Sequence, residues 1–273
     1  MKLHRSVLAR RIFLKAFSKI NPGDVTIKHH YTQDPFCLHS YRHRGYWFHG
    51  ANRERETMQM FSKIIVPGMD LIEIGAHIGY LSLLFKDLVG ENGKIYAFEP
   101  GPNNLVYLRR NLQAFERIEL LEQAVSDQDG EATFYVENLS GQNCSLNSEY
   151  EIFQKNRESA FSKEEYESTT VQTLTLDTFT QERNIRPDFI KIDVESVELA
   201  VLLGASQTLH DCRPLMMVEV TKNEEEVISL LKDAGYRLLL PNGTDLGGKI
   251  KGNIVFAFHR DEHEDQFEAC REP

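Results

Sequence analysis

Asp70-Leu-Ile-Glu-Ile-Gly-Ala-His-Ile-Gly-Tyr-Leu-Ser-Leu-Leu-Phe85 changes its periodicity once, and that change decides the fold class. Asp70 to Ile74 has the apolar character of a buried strand. From about Ile78 to Leu88 the apolar residues recur at helical spacing. Gly75 and Gly79 stand between, where a chain leaving a strand must turn sharply before a helix. The same alternation continues outward. Lys94 to Phe98 reads as a strand, Asn103 to Phe115 as a helix and Ile118 to Val125 as a third strand. Asp177 to Asn184 reads as a helix, Phe189 to Val194 as a strand and Val197 to Leu209 as a helix. Leu215 to Val220 is a strand and Glu224 to Ala234 a helix that Gly235 stops. Tyr236 to Leu240 and Asn253 to Phe258 close the series as two strands joined by the turn Asn242 to Gly252. Strands alternating with helices predict a doubly wound α/β fold whose mostly parallel sheet is covered on both faces. The last pair, with no helix between its strands, predicts an antiparallel edge.

Composition narrows the function. Of 273 residues, 41% are apolar and 26% charged, as in a folded globular protein. Acids outnumber lysine plus arginine by 41 to 31, a net charge of −10, which argues against nucleic acid as a partner. No apolar run approaches the 18 or so residues of a membrane span. Cys37, Cys144, Cys212 and Cys270 are scattered without a CxxC pair, so they read as reduced thiols of a cytoplasmic protein and not as a zinc site.

Residues 1–55 are expected to form an extension, residues 56–259 the main domain, and residues 260–273 an acidic, solvated tail. Lys2, Arg5, Arg10, Arg11, Lys15 and Lys19 precede the first acid, Asp24, and apolar residues in the same stretch follow helical spacing. Three readings fit residues 1–20: a helix packed on the domain, a basic amphipathic helix on an anionic membrane surface, or a transit peptide. His39 to His49 reads as a hairpin leading to a helix at about Arg53 to Ile65. Gly141 to Thr169 is polar and aperiodic, and such insertions often hold substrate, which makes it a candidate lid.

Between strand and helix, Gly75 and Gly79 let backbone approach a ligand, and the following N–H groups open into the crevice. The middle glycine of the dinucleotide fingerprint is absent. Glu99, followed by Pro100, ends the second strand 26 residues after Glu73, where a carboxylate can accept from both hydroxyls of a ribose. Loop and acid together point to a cofactor that contains a nucleoside.

DLIEIGAHIGYLSLLF, IYAFEPGPNN, TLTLDTFTQE and FIKIDVESVELAVLLGA, in this order, resemble the FkbM family of S-adenosylmethionine-dependent methyltransferases from about Glu56 to Phe258. The resemblance implies the class I methyltransferase fold, a seven-stranded sheet with its first and fourth strands adjacent. The crevice would lie between Glu73–Gly79 and Asp193–Glu195. Glu73 and the loop Gly75, Ala76, His77 and Gly79 would hold the methionine part of S-adenosylmethionine. Glu99 and Pro100 would meet the ribose, Ala124 to Ser126 would border the adenine, and Asp193 would border the cofactor from the fourth strand. The chain departs from the family at Ser196, where glycine is usual, and at His77, where asparagine is common.

Attack by a hydroxyl on a methyl donor requires alignment and a proton acceptor. Asp193 and Glu195, two apart at a strand end, share a face, and Glu219 ends the next strand. These three are the candidate catalytic residues, although Asp193 or Glu195 alternatively caps the helix near Val197. His43 and His49 are weaker candidates. The three carboxylates would also suit magnesium, but no metal is assigned. The expected function is methyl transfer to a hydroxyl of a sugar, glycolipid or secondary metabolite, an acceptor class the resemblance implies. An inactive S-adenosylmethionine-binding module and a nicotinamide-dependent dehydrogenase are the alternatives. The dehydrogenase lacks support from a Tyr-x-x-x-Lys motif, and DVES stands where a nucleic-acid amino-methyltransferase favours an N/D-P-P-Y-type loop. The expected location is cytoplasmic, with contact at a membrane surface if residues 1–20 act as an anchor.

Overall fold

The computed structural model of the chain describes residues 23–137, 144–146, 166–248, 250 and 252–272. The basic segment 1–20 and most of the candidate lid lie outside the described residues. In chain order the strands are β1 (Asp24–Lys28), β2 (Pro35–His39), β3 (Asp70–Ile74), β4 (Lys94–Phe98), β5 (Ile118–Leu121) and β6 (Ala124–Val125), then β7 (Gly130–Glu137), β8 (Tyr166–Leu174), β9 (Phe189–Ile192), β10 (Leu215–Glu219), β11 (Tyr236–Leu239) and β12 (Ile254–His259). The helices are α1 (Arg44–His49), α2 (Arg55–Ile64), α3 (Tyr80–Val89), α4 (Pro102–Leu112), α5 (Leu176–Arg183), α6 (Glu198–Leu203), α7 (Ser206–Cys212), α8 (Glu224–Asp233) and α9 (Glu264–Cys270).

The seven-stranded sheet has the order β5-β4-β3-β9-β10-β12-β11. β3 pairs in parallel with β4 on one side and β9 on the other. The chain therefore winds outward in both directions from β3, and a crevice opens where the two windings part. The expected antiparallel pairing is present at the far edge, where β12 runs antiparallel to both β10 and β11.

Strand parity distributes the core. Ile72, Ile74, Ile190, Ile192, Met216 and Val218 face one layer. Leu71, Phe189, Leu215 and Met217 face the other, where Met58, Phe61 and Ile64 of α2 are buried. Full burial of such side chains stabilises by about 1.5–3 kcal/mol each. Continuing that parity to the C-terminal strand ends puts Glu73, Lys191 and Glu219 on the face that α2 covers, and Asp193 and Glu99, just past β9 and β4, follow in the same register.

Five expectations are corrected. The hairpin is β1–β2, not His39 to His49, which instead turns into α1. Aromatic richness favours strand by propensity, but of Tyr46, Trp47 and Phe48 only Tyr46 is buried, where it packs on Phe36 and Tyr80. The acidic tail carries α9, because Phe267 and Cys270, one turn apart, are buried against the sheet, with Phe267 edge-on to Phe258. Val197 to Leu209 is two helices. Asp177 accepts from the N–H groups of Gln207 (2.9 Å) and Thr208 (2.7 Å) and thereby caps a new helix, α7. Ile118 to Val125 is split between two sheets, since β6 pairs with β8 in a small sheet of order β6-β8-β7. The insertion ends earlier than Thr169, because Tyr166 already begins β8.

Candidate functional site

The crevice at the β3/β9 switch point is a cavity of about 240 Å³. Gly75, Ala76, His77, Glu99, Pro100 and Ala124 line it on the β3–β4 side, and Glu73 lies at its floor. Asp193, Glu195 and Glu219 line it from β9 and β10. Two candidates lie elsewhere. Gly79 precedes α3 in the left-handed region (φ +85°) and faces Leu108 and Leu112 of α4, so it serves packing. Ser126 donates its N–H to the Leu174 carbonyl at 3.0 Å, because its strand has joined the small sheet.

The loop is tied at both ends. The N–H groups of Gly75 and Ala76 donate to the Phe98 carbonyl at 3.0 and 2.9 Å. Gly75 (φ +84°) packs against the backbone of Asp193. Glu99, 4% exposed, accepts from the His77 N–H at 2.8 Å through Oε2, and from Gly101 N–H at 2.8 Å and Asn104 Nδ2 at 3.1 Å through Oε1. Burial pushes its carboxyl up to about 7 despite these donors. Glu73 is also pushed up to about 7 by burial, with Lys191 opposing. Its Oε2 accepts from Ser82 Oγ at 2.5 Å, while its buried Oε1 has no partner.

Sequence reading missed Lys191. It is 1% exposed, donates from Nζ to the Gly75 carbonyl at 2.5 Å and lies 3.1 Å from Asp193 Oδ2. A lysine inside the apolar run Phe-Ile-Lys-Ile was the available signal, since an unpaired buried ammonium is too costly to sit there without partners. Glu219 is pushed up by burial first and by neighbouring Asp193 next, and Asn253 Nδ2 donates to its Oε1. Two carboxylates meeting in a half-dry cleft favour one shared proton. Glu195 lines the same cleft, and its carbonyl accepts from Ser145 Oγ at 2.5 Å. Among the described residues no group of three or more His, Cys, Asp or Glu is arranged to hold a metal ion, and the cation facing Asp193 is the Lys191 ammonium.

The N-terminal elements supply the outer wall, also missed from sequence. The buried Tyr46 phenol, whose pKa is raised by burial, shares a 2.9 Å hydrogen bond with His77 Nδ1. Arg53 stacks 4.6 Å over the Tyr46 ring and pairs with Glu54 at 3.1 Å. His43 is buried beside His77 and held neutral by burial, while His49 is exposed and outside the cleft.

The departures from the family have a backbone cause. Ser196 (φ +65°) and His77 (φ +52°) both occupy the left-handed region, which suits glycine and tolerates asparagine. Ser196 Oγ is also buried without a partner. Ser196→Gly should therefore stabilise the chain by about 1 kcal/mol, net of the greater unfolded-state freedom of glycine. Thermal unfolding should show this as a rise of about 2–4 °C. An unchanged or lower midpoint would mean that the strain is relieved elsewhere.

This sheet order with its crevice defines a class I methyltransferase fold. The Methyltransferase FkbM domain matches residues 73–238, well over half of the chain. The chain belongs to the FkbM methyltransferase family, whose cofactor and methyl donor is S-adenosylmethionine. The 2-O-methyltransferase NoeI of Sinorhizobium fredii is 28% identical over 158 residues, 57% of this chain and 65% of NoeI. A tRNA (adenine(58)-N(1))-methyltransferase, TrmI of Thermus thermophilus, is 36% identical over 55 residues, 20% of this chain and 22% of TrmI. The matches thus span less than two thirds of these relatives' lengths. Among solved structures, methyltransferase FkbM from Methylobacillus flagellatus superposes with a TM-score of 0.46 at 16% identity, covering 70% of this chain and 44% of that one. Among the described residues no helix is long and apolar enough to cross a membrane.

The residues present fit the donor. Glu99 has its carboxylate at the cleft beside a tied glycine loop, Glu73 Oε1 awaits a donor, and Ala124, Val125 and Phe134 offer an apolar wall for a flat base.

Proposed function

We propose that the chain transfers a methyl group from S-adenosylmethionine to a hydroxyl of a sugar, glycolipid or secondary metabolite. The observation that carries this reading is the pairing of Asp193 with Glu219 in the cleft that Glu73 and Glu99 enter from the other side. When bound, S-adenosylmethionine supplies an electrophilic methyl group. Glu99 accepts from the ribose hydroxyls, and Glu73 receives a donor from the methionine part. Asp193, facing the Lys191 ammonium, accepts the acceptor's hydroxyl proton, while Glu219 holds the proton that the pair shares. Glu195 lies within the same wall and orients the acceptor. Arg53, held over the buried Tyr46 ring, and Glu54 add charged groups suited to the hydroxyls of a polyhydroxylated ring. The name of NoeI, a 2-O-methyltransferase, supports oxygen as the atom methylated.

Calorimetric titration with S-adenosylmethionine and with NAD, followed by a labelled-methyl screen over glycans and lipids, tests the reading. Binding of the first and label on a hydroxyl are expected. Binding of NAD alone would restore the dehydrogenase, and donor binding with no label on any acceptor would favour the inactive module.

Glu99→Ala should weaken S-adenosylmethionine binding about 30- to 150-fold, equivalent to ~2–3 kcal/mol for hydrogen bonds to a charged group. Because the free carboxyl titrates at about 7, wild-type affinity should rise with pH up to about 7 and then level off. Below that point protonation removes the acceptor, by up to about tenfold per pH unit. Affinity that ignores both the substitution and the pH assigns the ribose elsewhere.

A further inference from the structure

We propose that Lys191 is a positioning residue that joins the cofactor loop to the proton-accepting carboxylate, so that one ammonium sets both halves of the site. The inference rests on the functional reading above. β9 ends at Ile192, and although the Asp193 N–H still bonds the Ile74 carbonyl at 3.1 Å, its partly exposed side chain needs a restraint of its own. Lys191, two residues earlier on the same face, supplies it at 3.1 Å. The Gly75 carbonyl, turned inward by a positive φ, receives the same ammonium at 2.5 Å. Register reinforces this arrangement, because Lys191 is the direct partner of Glu73 on β3.

Lys191 is set among titratable groups from every neighbouring element. Glu73 comes from β3, Glu99 from the end of β4, Asp193 from the end of β9 and Glu219 from β10, with Tyr46 on the outer wall. A whole buried ion pair replaced by apolar side chains of similar volume is often neutral for stability, although removing one partner alone is strongly destabilising. Fold stability alone therefore does not account for a lysine here, whereas alignment of the loop and the base does.

The test measures S-adenosylmethionine affinity by calorimetry from about pH 5.5 to 8.5, with thermal unfolding of each variant alongside. Lys191→Met keeps the bulk and removes the charge. Its acid limb should move up by more than about 0.3 pH units, since Lys191 is the cation that holds Glu73 down and, more weakly, Glu99. Affinity at neutral pH should fall about tenfold. Lys191→Arg keeps the charge, so its limb should stay within about 0.3 units of wild type. Its planar fork cannot occupy the position of Nζ, and its affinity should drop at least about threefold. A wild-type profile in Lys191→Met, or an equal shift in both variants, overturns the proposal. Should Lys191→Met fail to fold, Lys191→Arg decides. A wild-type limb with weakened binding supports positioning, and unchanged binding overturns it. If neither variant folds, the lysine is needed for the fold itself and the proposal falls. Wild type that binds no S-adenosylmethionine at any pH takes down the functional reading together with this one. Wild type that binds, with Lys191→Met unaltered, removes this one alone.

Discussion

Asp193→Asn should lower methyl transfer about 10²–10⁴-fold while the chain still folds and binds S-adenosylmethionine. Loss of a general base costs rate in that range. The substitution is close to isosteric, and the main-chain N–H of Asp193 donates to the Ile74 carbonyl at 3.1 Å whatever the side chain. The loss should therefore be chemical rather than architectural. Glu219 is the control. Burial first and Asp193 next push its carboxyl up, so within the pair it is the side that holds the shared proton. Glu219→Gln resembles that state and should cost much less than Asp193→Asn. Steady-state rates at saturating donor, with the melting temperature of each variant, decide the matter. If the glutamine variant is the more damaged of the two, the base has been assigned to the wrong carboxylate.

Gly75→Ala should destabilise the chain by about 2–5 kcal/mol and abolish donor binding. The residue has φ +84°, a conformation that costs an L side chain about 1–2 kcal/mol. A Cβ there would stand 1.9 Å from the Asp193 carbonyl oxygen. That oxygen is backbone at the junction of two parallel strands, so relief requires prising β3 from β9, a further overpacking cost of about 1–3 kcal/mol. Urea unfolding measures the first effect and calorimetry the second. An alanine variant of wild-type stability would show that the two strand ends are not locked together. The contrast between the variants is informative. One removes a proton acceptor and leaves the frame, whereas the other strains the frame that presents the acceptor.

The strand-to-helix units around Gly75 and Glu99 were legible because their signal is local. An apolar strand, a glycine turn and a helical period need no distant partner to be recognised. The same reasoning failed where a distant partner decides. The aromatic run at 39–49 became a helix because the hairpin had already formed upstream from Asp24 to His39. In the acidic tail, two apolar residues were too few to register as a pattern, yet Phe267 packs under Arg237 and against Phe258. The break after Leu203 depends on a cap from Asp177, on another helix. Ser126 and Gly79 sit next to correctly read segments, but small-sheet pairing and helix packing turned them away from the cleft.

By itself, the sequence determined the doubly wound class, the glycine loop and the acids at three strand ends, because strand parity and glycine conformational freedom are properties of neighbouring residues. Tertiary structure alone decided how those acids differ. Glu73, Glu99 and Glu219 share a residue type and a place at strand ends, yet only burial and the neighbours brought by β9, β10 and the loop after β3 fix their protons. It also decided that Lys191 meets a carbonyl 116 positions away in the chain, and that Tyr46 and Arg53 wall the cleft. The physical reason is that desolvation and Coulomb interaction depend on distance in space, which the order of residues does not carry.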